Sequence, residues 1–392
     1  MKIYEIGTGY TPVPAQVPAA TESVVEELTK AFMAMEQPVE ILDISTTHRA
    51  PHDLPITEVA VPSLFTRSDV SLGIVHKVKR VVYSLALAAK LKKILKAAQE
   101  KVVLHFHNQY NAYFFFKTVP AKLRDKAVIA YTNHNGYWSL PWSETCDTMH
   151  KRYFQEIDAM KRADKVFVLN PVMRNNVIEQ VGIPSDRVVL TANGVNTALF
   201  HPLSEEEIAA VKAEYGLAGK RVILQVGSVN ENKGQGRSME LLAPLLKKDK
   251  NVVFAYAGGI VSAEYHQQVQ KLAQDLDITD QVIYLGMVSP GEQMNRLYNI
   301  AEATIFASKY EGFALVSVES LSAGVPALLC SQLAYDFGDG SVHCATAEEL
   351  EKAYMVLGTA QGAELRRAAR ENAVRRYSWT SIAQEYSKNM FS

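Results

Sequence analysis

Cysteine is scarce in this 392-residue chain: Cys146, Cys330 and Cys344 lie far apart, with no CxxC pair and no metal-ligand spacing. A disulfide framework is thereby excluded, and a reducing compartment fits the usage best. Long apolar runs are missing too. No stretch approaches the ~20 residues that a membrane span needs, and Met1–Ile6 runs into a Gly/Pro loop far short of a signal peptide's apolar segment. The expectation is a cytoplasmic protein. Excess charge of either sign is absent, since 41 Lys and Arg nearly cancel 42 Asp and Glu, so no global field draws the chain onto nucleic acid and no nucleic-acid partner is expected. Low-complexity sequence is confined to the proline-containing loop 12–18. Gly7-Thr8-Gly9 lacks the third glycine of a dinucleotide fingerprint, because Pro12 stands in its place. A nicotinamide site is excluded on that ground.

What is present is an average globular mixture, 48% apolar and 21% charged. At roughly 150 residues per domain, the length predicts two to three domains, with two as the working number. Short apolar runs alternate with longer amphipathic stretches, the pattern of parallel strands joined by helices. In the first half, strands are predicted at 3–6, 39–43, 102–105, 127–131, 165–169 and 188–190, and helices at 22–35, 75–99, 148–163 and 173–181. The last helix stops at Gly182 and Pro184. After the acidic stretch Glu205-Glu206-Glu207 the alternation resumes, with strands at 222–226, 252–257, 282–285, 303–306 and 327–329. The domain boundary is placed near residue 202, giving 1–202 and 203–377. The fold class is α/β: two doubly wound, Rossmann-like domains, whose ligands are expected in a deep cleft at the carboxyl ends of the strands.

The strongest motif runs from Ser308 to Pro326: SKYEGFALVSVESLSAGVP. It follows a predicted strand and opens a helix, so the amides of Phe313, Ala314 and Leu315 are expected to point from the helix start, where the dipole favours a phosphate. Gly312 allows close approach. Glu311 lies at the loop edge and Glu319 two turns later, so one carboxylate can reach a sugar while the other accepts hydrogen bonds from ribose hydroxyls. No metal is needed for that division of labour. As an isolated pair, the two acids would read as solvated helix acids.

Glu311 and Glu319, spaced Glu-x7-Glu within an EGFxLxxxE segment closed by Ala323-Gly324-Val325-Pro326, resemble the signature of glycosyltransferase family 4. The resemblance implies the GT-B fold, a nucleoside-diphosphate sugar as donor, retention of the anomeric configuration, and neither metal nor other cofactor. It extends over nearly the full chain. Asn193-Gly194-Val195-Asn196 with Phe200-His201-Pro202 is similar to the family's NGVD-x3-F-x-P segment, with Asn196 in place of Asp. Arg162-Ala163-Asp164 also matches the family pattern, and Arg375-Arg376-Tyr377-Ser378-Trp379-Thr380 is similar to its final FSW-type segment. That segment implies a last helix, 378–392, packed back on the first domain. Gln225-Val226-Gly227-Ser228 through Lys233-Gly234 resembles the VGR-x4-KG loop. Lys233 then grips the donor diphosphate, while Ser228 stands where the family has Arg and Arg237 is the nearest substitute. The family's paired glycines near the phosphates are replaced by Ala19-Ala20-Thr21-Glu22. Thr8, Gly9 and Thr11 are candidate acceptor contacts, and Thr21 is compatible with capping the following helix.

Two histidine-bearing strand ends follow. His105-Phe106-His107 closes a buried strand, where a histidine is either a hydrogen-bonded interior residue or, at His107, an acceptor contact. Thr132-Asn133-His134-Asn135 resembles the family position beside the donor sugar, which makes His134 a catalytic candidate and Asn135 an acceptor contact. In the aromatic loop 136–142, Trp138 can stack on an acceptor sugar or pin the loop to its domain. The predicted helix 75–99 interleaves seven basic residues with apolar ones. A solvated lysine face is the plainer account, and peripheral contact with an anionic membrane holding a lipid-linked acceptor is the alternative.

The resemblance implies a front-face transfer in which Lys233 and the loop amides hold the departing diphosphate, Glu311 orients the sugar, and His134 supports its far side. Acceptors are a glycan, a lipid-linked sugar or a small molecule. The alternatives are an epimerase or phosphorylase on the same plan, or a non-catalytic sugar-nucleotide-binding subunit, which the missing Arg at Ser228 would favour.

Overall fold

Alternating apolar and amphipathic segments build two parallel sheets flanked by helices in a computed structural model that describes residues 1–15, 19–66, 74–331 and 336–392. The end of the proline-containing loop, 16–18, lies outside the described residues. The chain divides into two compact units, 1–194 with 379–392, and 195–378. The changeover thus falls at Gly194/Val195, ahead of the boundary placed near 202, and the chain returns to the first unit at Trp379.

In the first unit the strands are β1 (Ile3–Ile6), β2 (Val39–Ile44), β3 (Ile56–Val59), β4 (Val102–Phe106), β5 (Ala127–Asn133), β6 (Lys165–Val168) and β7 (Val188–Leu190). Their order is β3-β2-β1-β4-β5-β6-β7, every pair parallel. Their runs of Val, Ile and Phe are buried on both faces, as parallel strands require. Ile3, Phe32, Val103 and Phe167 share one core with Ile382, Tyr386 and Met390 of the helix Trp379–Met390. The C-terminal helix is therefore part of this unit's interior.

In the second unit they are β8 (Arg221–Val226), β9 (Val252–Ala257), β10 (Val282–Tyr284), β11 (Ala301–Phe306), β12 (Ala327–Leu329) and β13 (Ser341–His343). The order is β10-β9-β8-β11-β12-β13, again all parallel. The carboxyl ends of β8 and β9 meet through glycine: a Cβ on Gly258, at φ +148°, would lie 2.1 Å from the Gly227 carbonyl oxygen. No larger residue fits there without moving the loop after β8.

Two edge strands, β3 and β13, escape the sequence reading because ITEV and SVH are largely unburied and broken by polar residues, so neither shows as an apolar run. The helix predicted at 148–163 is two helices, Trp142–Arg152 and Phe154–Arg162, since Tyr153 leaves the helical region at φ −119°, ψ 22°. The helix Gln109–Thr118, capped by Asn108, is an addition. Thr21 is not a cap: the first long helix begins at Ala20, with Ala19 at the cap position and no side-chain bond.

Candidate active site

In a doubly wound sheet, ligands gather where the order of connection reverses. In the second unit that place lies between β8 and β11, and the loops leaving them are 227–234 and 307–314. Asn232 splints the two. Its Nδ2 donates to the Tyr310 carbonyl at 3.0 Å, its Oδ1 accepts from the Tyr310 amide at 3.2 Å, and its own carbonyl accepts from the Lys309 amide at 2.7 Å.

Within this splint Lys233 is fixed by its backbone, its amide bonded to Asn230 and its carbonyl accepting from Gln225 Nε2 at 2.7 Å. Its ammonium forms an ion pair with the Glu311 carboxylate. Gly227 underlies the lysine stem: a Cβ there would sit 3.4 Å from Lys233 Cδ. Ser228 accepts from Asn230 Nδ2 at 2.8 Å through its hydroxyl, and Arg237 donates through Nε to the Cys330 carbonyl at 3.1 Å.

Gly312 leads through Phe313 and Ala314 into the helix Leu315–Ser322, which has no side-chain cap. Among the described residues, the Phe313 and Ala314 amides donate to no protein group, whereas the Leu315 amide is taken by the Phe313 carbonyl at 3.1 Å. The expectation of three free amides is thus corrected to two, because the chain closes a tight turn before the helix starts. Glu319 accepts from Tyr298 Oη at 2.7 Å. Burial pushes its carboxyl up to about 7, and the tyrosine hydroxyl pulls the other way. Tyr298, on the helix Glu292–Asn299, and Asn232 carried no signal in the sequence.

In the first unit the switch lies between β1 and β4. Their register pairs Glu5 with His105, and the two-residue period puts His107 on the same face. Glu5 is fully buried, its two oxygens 2.9 Å from His105 Nδ1 and 2.7 Å from His107 Nε2. His107 Nδ1 lies 3.0 Å from His134 Nε2, and His105 Nε2 lies 2.7 Å from Thr132 Oγ1, which meets Tyr386 Oη at 3.1 Å. Glu5 is a carboxylate held at about 2 by the two histidines against the cost of its burial. Burial depresses His107 to about 4 and His134 well below the ordinary imidazole range. Glu5, His105 and His107 are also a group whose ligand atoms, within 4.8 Å of one another, have the chemistry to hold a cation. Both His107 nitrogens are occupied by protein, while His134 is half-buried at the end of β5.

The aromatic loop is pinned to its unit. Trp138 is 1% exposed and donates through Nε1 to Glu156 Oε2 at 2.8 Å, so it cannot stack on an acceptor, a correction to that expectation. Asn135 donates through Nδ2 to the same carboxylate at 2.9 Å and accepts from the Tyr137 amide through Oδ1. Thr8 turns its hydroxyl to the buried Glu22, and a Cβ on Gly9 would meet the Tyr83 ring at 2.1 Å. Thr11 is buried. These loop residues face inward.

The helix Ile74–Ala97 packs Tyr83, Leu87, Leu91 and Leu95 inside and leaves Ile74, Val78, Val81 and Leu85 exposed, along with Lys77, Lys93 and Lys96. Among the described residues, no helix is long and apolar enough to cross a membrane.

Residues 21–199 match the family described as Glycosyltransferase Family 4, and residues 207–334 match Glycosyl transferases group 1. The chain is 22% identical to the mannosylfructose-phosphate synthase of Agrobacterium fabrum over 184 residues, 46% of this chain and 40% of that protein. It is 26% identical to the alpha-galactosylglucosyldiacylglycerol synthase of Streptococcus pneumoniae over 175 residues, 43% of this chain and 44% of the relative. The chain thus spans less than half the length of these curated relatives. Among solved structures, Anabaena HepE in complex with UDP and glucose superposes with a TM-score of 0.68 over 100% of both chains at 15% identity. With both halves matched and both sheets in the order of a Rossmann-like domain, the chain belongs to glycosyltransferase family 4 and has the GT-B fold.

Proposed function

We propose that this chain transfers a sugar from a nucleoside-diphosphate sugar to a hydroxyl of a glycan, lipid-linked or small-molecule acceptor, with retention and without a metal ion. The observation that carries the reading is the splinted loop pair of the second unit. It sets an ammonium, two unspent amides and two carboxylates at the carboxyl ends of β8 and β11. An anion is stabilised by the ammonium and the amides at a helix start. Glu319 accepts from ribose hydroxyls and Glu311 from the sugar. The departing diphosphate is held by Lys233 and by the Phe313 and Ala314 amides, its oxygen takes the acceptor's proton, and the acceptor attacks from the face that the diphosphate leaves. Catalysis is then electrostatic stabilisation and positioning. No carboxylate is assigned as a nucleophile.

The relatives support the substrate class: one is named for a lipid product and one structure was solved with UDP and glucose. The exposed apolar and basic residues of the helix Ile74–Ala97 fit peripheral contact with an anionic membrane, where such an acceptor would reside. A second reading, a sugar-nucleotide binder without turnover, is favoured by Ser228, whose hydroxyl is occupied by Asn230 where the family has Arg.

The test is a panel of UDP-, GDP- and ADP-sugars in the presence of EDTA, read as thermal shift and released nucleoside diphosphate. A stabilising donor that is slowly hydrolysed, with both effects lost in Glu319→Ala, supports transfer and names base and sugar together. A shift with no turnover in any acceptor extract moves the assignment to the binder. No shift at all overturns both.

A further inference from the structure

Two of the three cysteines have no part in the proposed transfer, yet the second sheet brings them together. β12 and β13 run parallel and in register, Leu329 opposite His343, so the next residue on each strand, Cys330 and Cys344, stand opposite one another. The ladder reaches this point: the Cys344 amide donates to the Leu329 carbonyl at 3.0 Å, and the Cys330 amide to the Phe306 carbonyl at 2.7 Å. Both side chains are fully buried in one apolar core, and the Cys330 thiol donates to the Cys344 sulfur. That bond keeps the proton on Cys330 and favours the thiolate of Cys344, which makes Cys344 the better nucleophile of the two. β13 is an edge strand of three residues, paired on one side, with Ser341 and Val342 half-buried and His343 exposed. Such an edge opens locally at little cost, and opening admits a small oxidant to thiols that the closed fold covers.

We propose that Cys330 and Cys344 are a redox modification site, joined by a hydroperoxide into a reversible disulfide that ties β13 to β12. The Cys344 thiolate attacks hydrogen peroxide, the O–O bond breaks, and the departing hydroxide takes up the proton that the thiol released. Cys330 then attacks the sulfur of the resulting sulfenic acid. Its S–O bond breaks, and hydroxide leaves with the Cys330 proton as a second water. The pair has lost two hydrogens and two electrons, and the peroxide has become two waters. Neighbouring strands lie about 4.8 Å apart, whereas the Cβ atoms of a disulfide average about 3.8 Å, so the bond draws the strand ends together and stays easy to reduce. In a reducing compartment the thiols are the resting state and the disulfide is the response to oxidant.

The pull has a path to the neighbouring loop. The Cys330 carbonyl accepts from Arg237 Nε at 3.1 Å, and the adjacent Ser331 hydroxyl donates to the Ser308 carbonyl at 2.6 Å, at the start of the loop 307–314. Moving Cys330 towards β13 therefore drags the segment that carries Glu311 and the Phe313 and Ala314 amides. That this loosens the hold on a donor rests on the proposed function; the disulfide does not.

The disulfide is tested on full-length wild-type protein, exposed to hydrogen peroxide, quenched with N-ethylmaleimide and cut by a protease specific for aspartate. Asp336 and Asp339 lie between the two cysteines, so the disulfide is expected as two peptides that stay joined until dithiothreitol is added. Cys146→Ser should behave alike, since that cysteine belongs to the first unit. In Cys330→Ser a sulfenic acid trapped by dimedone is expected on Cys344, and its absence overturns the order of attack. Wild-type protein that yields no joined peptides, or that passes directly to sulfinic acid beyond the reach of dithiothreitol, overturns the site without relying on any variant that folds poorly.

With whichever of the UDP-, GDP- or ADP-sugars the donor panel selects, the thermal shift is expected to shrink in the oxidised protein and to return with dithiothreitol. An equal shift in both states overturns the link to the loop, while reduced protein that responds to no donor overturns the proposed function instead.

Discussion

Lys233 and Glu311, 78 residues apart in sequence, form an ion pair at the carboxyl ends of β8 and β11. In the proposed transfer the ammonium serves the diphosphate and the carboxylate the sugar, and in the free protein each neutralises the other. Lys233→Met is therefore expected to lower kcat about 10²-fold, the usual effect of removing one donor from a developing anion. Folding stability should move by less than about 1 kcal/mol, because the pair is partly exposed. Steady-state kinetics and a urea titration check this together. A drop in stability with kinetics unchanged would make the pair structural.

If Glu319 holds the donor ribose as proposed, its carboxyl, raised to about 7, ties donor binding to pH. Folding raises its proton affinity above the unfolded value, so the stability it contributes is full below about pH 4 and is lost as pH rises through about 7. Donor affinity goes the other way, since ribose hydroxyls donate best to the ionised form. Affinity by calorimetry should rise between pH 6 and 8 while the melting temperature of the free protein falls, and Glu319→Gln should flatten both. Tyr298→Phe removes a bond to the charged form, so the midpoint of the binding curve should move upward.

Trp138 and Glu156 are predicted to matter for stability. Trp138→Ala is expected to cost about 3–5 kcal/mol in a denaturant titration, the range for a fully buried aromatic. The milder Trp138→Phe leaves Glu156 one donor short and should cost about 1–3 kcal/mol. At temperatures where Trp138→Phe is folded, KM for the acceptor should match the wild type. A selective rise in KM would restore the stacking role.

The helix Ile74–Ala97 predicts a salt-sensitive interaction with acidic lipid. Cosedimentation with phosphatidylglycerol vesicles should exceed that with phosphatidylcholine and fall between 50 mM and 500 mM salt, as screening shortens the reach of Lys77, Lys93 and Lys96. Replacing Val78 and Val81 by Ser should weaken what remains at high salt. Equal sedimentation with both lipids would leave the face merely solvated.

Much of the fold was legible because period and punctuation are local. Eleven strands show as apolar runs, and Gly182-Ile183-Pro184 reads directly as a stop. What escaped either shows no apolar run, as in β3 and β13, or was decided by a single backbone torsion, as at Tyr153. Trp138 shows the limit for side chains, since an aromatic loop reads the same whether its rings face solvent or a buried carboxylate.

The sequence by itself determined the alternation that makes two parallel sheets, the EGF loop with its paired acids, and the lysine-bearing loop, because each of these is written within about twenty consecutive residues. Only the tertiary structure decided the partners: Tyr298 on Glu319, Asn232 across two loops, Glu156 beneath Trp138, and Glu5 reaching His134 through His107. Those contacts join separate elements of each unit, and a hydrogen bond depends on where strands pair and helices cross, which no local pattern of residues encodes.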